Sequence, residues 1–340
     1  MSQPAVQMKA IINRTGVVER TAARVTALDF TKGALVLVMV LYHWLNYFVG
    51  TLGFYYRYMR FLTPSFIFIV GFLVAHVYLS GSKVPDTRVP KRLLIRGLKL
   101  FVIFLVLNLM MKLLPSTSSP QLTDWGVYIG QNSDNGRAAF AVFLPIAYLL
   151  VAAAGISLLM RLSSYMFDIA AIAVMGIAVL LENTGRPNAF MELIGTGLLG
   201  TVIGTVPISR IDSVLRHHTL VAIAYAAYLA AITLWNEIYV LQIVGVCLSL
   251  SIMYLIGTVA KNRTADAVVL LGKYSLVGYI VQITIFQGLH RMAKHTGDGA
   301  ATEILYLGVA TGLTFVAIVM LDHIKARVPL IRKLYAAVFA

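Results

Sequence analysis

The stretch RVTALDFTKGALVLVMVLYHWLNYFV, residues 24–49, sets an acid, a base and a histidine inside a run otherwise apolar enough to cross a bilayer. A membrane-spanning helix takes about 20 mainly apolar residues, and between Leu28 and Val49 the strongly polar side chains are Asp29, Lys32, His43 and Asn46. Eleven positions at about 100° each bring Lys32 and His43 back to nearly the same face, about 16 Å apart along the axis. His43 and Asn46, three apart, also share a face. An ionisable side chain deep in a membrane segment is costly to solvate and marks a functional site by default. Imidazole, with an ordinary pKa of about 6.5, suits proton movement near neutrality. The competing reading is a neutral histidine hydrogen-bonded between helices.

The 340 residues are 59% hydrophobic and 12% charged, against roughly 25% charged in soluble domains. The expected fold class is therefore all-α, a polytopic multi-pass membrane protein with about ten transmembrane helices. The spans fall at roughly 28–49, 61–80, 93–114, 138–160, 166–182, 189–207, 218–236, 239–260, 267–290 and 303–323. The lipid bilayer is the first partner. A net charge of +14 raises nucleic acid as another, but the basic residues cluster between apolar runs with no basic folded domain to form a binding surface.

Orientation explains the charge better. Lys83, Arg88, Lys91, Arg92 and Arg96 follow the second span, Arg210 and Arg216 the sixth, and Lys325, Arg327, Arg332 and Lys333 the last, whereas the opposite side is sparsely basic. The positive-inside rule puts both termini in the cytoplasm. Residues 1–23, polar and basic and without an apolar core segment, read as a cytoplasmic tail on the lipid surface rather than a cleavable signal. Residues 24–324 form the integral membrane domain and 325–340 a second cytoplasmic tail. The single cysteine, Cys247, allows no intrachain disulfide.

Other polar positions carry two readings each. Arg57 and Arg60, on the outer side, bind an anion or sit at the interface. Gln282, Gln287 and His290 in the ninth span line a cavity or bond between helices. The connection 115–137 is long enough for a lid or binding loop, with Trp125 and Tyr128 stacking on a sugar or anchoring at the interface. His217 and His218 are adjacent and do not share a helical face, so no metal is expected. There is no P-loop, dinucleotide fingerprint or zinc-protease helix, and no matched pair of interrupted spans of the kind that marks transporters.

Three separated pieces resemble the acyltransferase-3 family of membrane acyltransferases. Leu28-Asp29-Phe30-Thr31-Lys32-Gly33, with His43 eleven residues after Lys32, is similar to the family's opening. Pro64-Ser65-Phe66-Ile67-Phe68-Ile69-Val70-Gly71-Phe72 is similar to its second-span segment. Leu271-Gly272-Lys273-Tyr274-Ser275-Leu276-Val277-Gly278-Tyr279 is similar to its late glycine, serine and tyrosine motif. The likeness runs from about 24 to 335, and the short chain also resembles the branch of succinyltransferases that modify periplasmic glucans. Two positions depart from the pattern. Lys32 stands where the family usually has arginine, replacing a bidentate contact by a point charge. Gln282 stands where many members have a second histidine.

The resemblance implies acyl transfer from cytoplasmic acyl-coenzyme A, acetyl- or succinyl-coenzyme A foremost, to a hydroxyl of a glycan or lipid-linked saccharide, at a bacterial inner membrane. His43 would be general base or transient acyl carrier. Asp29 would hold a helix partner or orient Lys32, and Lys32 with Arg92 and Arg96 would face the donor. Asn46, Arg57, Arg60, Phe66, Phe68, Ser275, Tyr279 and Gln282 would meet the substrate. The rival class is a transporter or flippase for the same kind of saccharide, binding without chemistry. A structural membrane subunit leaves the Lys32 to His43 spacing unexplained.

Overall fold

A computed structural model describes residues 26–49, 55–79, 88–113, 140–160, 162–235, 238–296 and 300–339. The N-terminal tail and the 115–137 connection, with Trp125 and Tyr128, lie outside the described residues. Among the described residues every regular element is a helix. In chain order they begin with α1 (Thr26–Val49), α2 (Leu62–Val74), α3 (Arg88–Leu113), α4 (Phe143–Leu159), α5 (Met166–Asn183) and α6 (Ala189–Gly204). There follow α7 (Ile208–Leu215), α8 (His218–Leu234), α9 (Tyr239–Val259), α10 (Arg263–Lys273), α11 (Ser275–Thr296), α12 (Ala300–Arg327) and α13 (Pro329–Phe339).

The protein is an all-α, multi-pass membrane protein. Among the described residues six helices are long and apolar enough to span a bilayer, or up to eight if each of two bent pairs is one span. The segments expected at 138–160 and 218–236 correspond to α4 and α8, each of 17 residues. At 1.5 Å per residue such a helix reaches about 25 Å, short of a hydrocarbon core of about 30 Å.

The sixth and ninth expected spans are not single straight helices. Helices α6 and α7 meet at 101°, and α10 and α11 at 90°. The first break falls at Pro207, whose φ of −55° and ψ of 132° start a new helix. Proline lacks the N–H that would continue the old one and pushes its predecessor out of helical geometry. The second break falls at Tyr274, whose φ of −113° and ψ of 25° leave the helical region.

The chain divides into two compact units. The first takes in the described residues of Met1–Gly50 and of Ser249–Arg332, hence α1, the later part of α9, and α10 to α12. Here α1 buries Ala27, Leu35, Val36, Met39 and Val40 on one side, a helical spacing with a single inward stripe. Thr31, buried in the same helix, returns its hydroxyl to the Ala27 carbonyl at 2.9 Å, so it is satisfied without an outside partner. The last turn of α1, Leu45–Val49, is wound as a π-helix.

The second unit, Thr51–Leu248 with Lys333–Ala340, is built around α2 and α6. Gly71 lies on the Gly197 carbonyl and Gly200 on that of Phe68, an approach that only residues without Cβ permit. Around it Ile67, Val74, Leu93, Ile146, Leu149, Phe167 and Leu198 form one buried cluster. Polar side chains close the helix ends. Asn188 accepts from the N–H groups of Phe190 and Met191 at the start of α6, and the Glu182 carboxylate accepts from the Tyr239 N–H at 3.0 Å to start α9. These are the orphan donors that every helix N-terminus exposes.

Candidate functional site

The polar residues of α1 occupy two levels. At the lower one, the Lys32 ammonium and the Asp29 carboxylate pair at 2.5 Å, 19% and 13% exposed. The pairing follows from their i, i+3 spacing and from the cost of leaving either charge alone in a membrane helix. The same turn is pressed against α10. Gly33 lies on the Val268 carbonyl and Gly272 on the Asp29 carbonyl, so the glycines of the first and third motifs meet each other's backbone across one helix crossing.

Next to this crossing, Tyr274 holds the bend between α10 and α11. Its hydroxyl donates to Asp322 Oδ1 at 2.6 Å, and Lys325 Nζ donates to the same hydroxyl at 3.2 Å while standing 4.8 Å from the ring centre. Ser275 begins α11 just after the bend.

At the upper level His43 sits in an aromatic box. Its ring centre is 5.3 Å from that of Tyr42, 6.1 Å from Tyr279, 6.4 Å from Tyr47 and 6.5 Å from Phe286. Nε2 of His43 is enclosed and has no hydrogen-bond partner among the described residues. Beyond it Tyr47 stacks on Phe286 with planes 10° apart, and Tyr47 and Phe48 both approach the His290 ring, at 5.5 Å and 5.9 Å. Trp44 is fixed by an indole N–H to the Glu303 carbonyl at 2.6 Å, which ties the end of α1 to the start of α12. Gln282 is fully buried, and neither its amide nitrogen nor its amide oxygen finds a partner. An unbonded polar group in such a place costs about 1–3 kcal/mol and calls for an explanation.

Asp29, Lys32, His43, Asn46, Ser275, Tyr279 and Gln282 thus share the first unit, with Asn46 at an exposed position in the π-helical turn. Arg57, Arg60, Phe66, Phe68, Arg92 and Arg96 belong to the second. There Arg57 donates to the Ile232 and Thr233 carbonyls at 3.2 and 3.1 Å, capping the end of α8. Arg60 is exposed, and its backbone carbonyl accepts from Gln242. Phe68 is buried under Gly200, and Phe66 is half-buried. Arg92 and Arg96, one turn apart, are exposed on α3, and Arg96 lies over the Tyr78 ring. Among the described residues, no three histidine, cysteine or acidic side chains converge as metal ligands.

Sequence reasoning missed Tyr47 and Phe286 as walls of the histidine site, and the Tyr274, Asp322 and Lys325 cluster. The i, i+3 spacing of Asp322 and Lys325 was a usable signal. The pairing with Tyr274 was not, because it depends on the bend.

The sequence profile of the acyltransferase-3 family, described as an acyltransferase domain, matches residues 25–323. The chain belongs to the acyltransferase-3 family. No curated protein and no solved structure matches it. As an acyltransferase of this family it requires an acyl donor and an acceptor, and the matched segment takes in both levels of α1 and the whole of α10 and α11.

Proposed function

We propose that this acyltransferase moves an acyl group from acyl-coenzyme A to a hydroxyl of a glycan or lipid-linked saccharide at a bacterial inner membrane, with His43 as general base. The observation that carries the reading is the enclosed, unpartnered Nε2 of His43 within an aromatic box, one level above a paired lysine on the same helix. A buried imidazole nitrogen with no partner is free to take a proton from an incoming hydroxyl. Transient acylation of the same nitrogen serves equally well.

Lys32, held by Asp29, faces the donor's phosphates or thioester end, where its charge counts for more than in water. Arg92 and Arg96, exposed on α3, draw the polyanionic donor to the surface. Tyr279 and Gln282 meet the reacting end, and Asn46 and Ser275 the acceptor and donor sides. Acetyl- and succinyl-coenzyme A are the first donors to try, the second because of the likeness to the glucan succinyltransferases.

Two bent helix pairs favour a second reading, since broken helices are how transporters build midplane sites. In that reading a saccharide or lipid-linked substrate is moved without chemistry. The two are separated by incubating the purified protein with acetyl- or succinyl-coenzyme A and alkyl glucosides and following free thiol. Acyl transfer predicts release that His43→Ala abolishes. Equal release from the two proteins removes His43 from the chemistry, and donor binding without any release supports transport.

A further inference from the structure

The row of residues Gly278, Gln282 and Phe286 recurs every four positions along α11, so the three side chains line one stripe of that helix. Its two ends are fixed by their neighbours. A Cβ at Gly278 would stand 3.3 Å from Val36 of α1 and 4.0 Å from Ile318 of α12. Phe286 packs with Val40 of α1 and Ala310 of α12, and its ring lies against His43. Gln282 is midway between them and is bracketed by α1 on one side and α12 on the other. It also lies one turn above Tyr279, the other α11 ring that touches His43.

The polar neighbour at this level of α12 is Thr314, midway between Ala310 and Ile318. Its hydroxyl donates to the Ala310 carbonyl at 2.7 Å. Among the described residues the Gln282 carboxamide is unbonded at zero exposure, on the stripe of α11 whose Phe286 ring lies against His43, and His43 Nε2 is unbonded as well. A buried amide donor on the helix that walls His43, and a buried base, each without a partner, are the kinds of group an acyl-transfer site needs at its two poles.

We infer that Gln282 is a catalytic residue whose amide N–H binds the carbonyl oxygen of the acyl thioester as negative charge develops on it. The inference rests on the acyl-transfer reading and adds a second group to it. The acceptor hydroxyl oxygen bonds to the thioester carbon while His43 Nε2 takes the hydroxyl proton. The carbonyl π pair moves to oxygen, where the Gln282 N–H holds it. When that pair returns, the carbon–sulfur bond breaks, and coenzyme A leaves as thiolate and takes the proton from the His43 imidazolium. Ester and free thiol are the products. The amide serves this purpose without charge, so it needs no counter-ion inside the membrane.

The test measures kcat and KM for thiol release from acetyl- and succinyl-coenzyme A with octyl glucoside, using full-length protein, Gln282→Leu and Gln282→Asn. Binding of S-ethyl-coenzyme A, which has no carbonyl oxygen, and of a ketone analogue with methylene in place of sulfur is measured beside it. Gln282→Leu, of similar volume, is expected to lower kcat about 10²- to 10³-fold with KM within threefold. It should weaken the ketone analogue while leaving S-ethyl-coenzyme A unchanged. Gln282→Asn should recover part of the loss. A Gln282→Leu protein with kcat within threefold of the unaltered one, while His43→Ala is inactive, overturns the inference and leaves the acyl-transfer reading standing. Equal loss of both analogues overturns it too, by showing a packing role. No His43-dependent release in the unaltered protein overturns both.

Discussion

The Lys32 ammonium and the Asp29 carboxylate meet at 2.5 Å on the turn of α1 whose backbone is pressed against Gly272 of α10. Charge pairing and a close backbone crossing thus occupy the same turn, and neither charge is fully exposed. Breaking a fully buried pair by removing one partner costs about 3–5 kcal/mol, and the residual exposure here makes that an upper bound. Asp29→Asn and Lys32→Gln are each expected to lower the melting temperature of the detergent-solubilised protein. The double variant should lose less than the two singles added together. Simple additivity would mean that the two groups do not depend on one another.

The glycines offer a sharper contrast, because the atoms opposing them are backbone. A methyl at Gly33 or Gly272 runs into the carbonyl of Val268 or of Asp29, and one at Gly71 or Gly200 into that of Gly197 or Phe68. Backbone in a helix has no rotamer to change, so the helices must separate, and overpacking of this kind costs about 1–3 kcal/mol or more. Gly155 and Gly176, with nothing within 4 Å of the added carbon, provide the control. Alanine there should be neutral or stabilising by up to about 1 kcal/mol, since it restricts the unfolded chain and favours helix. Thermal unfolding of the six single alanine variants should sort them into these two groups.

Much of this was legible from residues alone. The apolar run around Asp29, Lys32 and His43 fixed a membrane helix, because charge inside such a run has few explanations. Gly71 was legible as a place where another backbone approaches closely, and it lies on the Gly197 carbonyl. What could not be read was the bend at Tyr274. Lys273, Tyr274 and Ser275 contain neither proline nor glycine at the turning point, and the residues that hold it, Asp322 and Lys325, are about 50 positions away. The break at Pro207 carried a local signal, yet it fell at the end of an apolar run where a span boundary explained it equally well. The aromatic box around His43 was hidden for the opposite reason. Tyr47 and Phe286 are ordinary lipid-facing residue types, and only the packing of α11 beside α1 turns them inward.

Arg57 separates binding from capping. Its guanidinium donates to the last carbonyls of α8, and Tyr58 shares a hydrogen bond with Thr233 of the same turn at 2.7 Å. Arg57→Ala is therefore expected to cost roughly 0.5–1.5 kcal/mol per neutral acceptor lost and to leave KM for the acceptor within about twofold. A rise in acceptor KM of tenfold or more, without a fall in melting temperature, would instead return Arg57 to the substrate.

The clamp at the α10 to α11 bend makes the last prediction. Tyr274 donates its hydroxyl to Asp322 and receives one from Lys325, so Tyr274→Phe removes two charge-assisted bonds while keeping the buried ring. Such bonds are worth about 1.5–3 kcal/mol each where fully formed, and Lys325 can still pair with Asp322 once the hydroxyl is gone, which limits the loss. The consequence for activity is less direct and more informative. Tyr279, Gln282 and Phe286 all lie on α11 beyond the bend, so any change in the 90° angle swings the whole row that faces His43. Misplacing a reacting group by about 1 Å can cost 10²-fold in rate. Tyr274→Phe and Asp322→Asn are expected to lower kcat by one to two orders of magnitude, with donor binding, read with S-ethyl-coenzyme A, within a few-fold. A variant that loses stability but keeps its kcat would show that α11 is held in place by its packing against α1 and α12 rather than by the clamp.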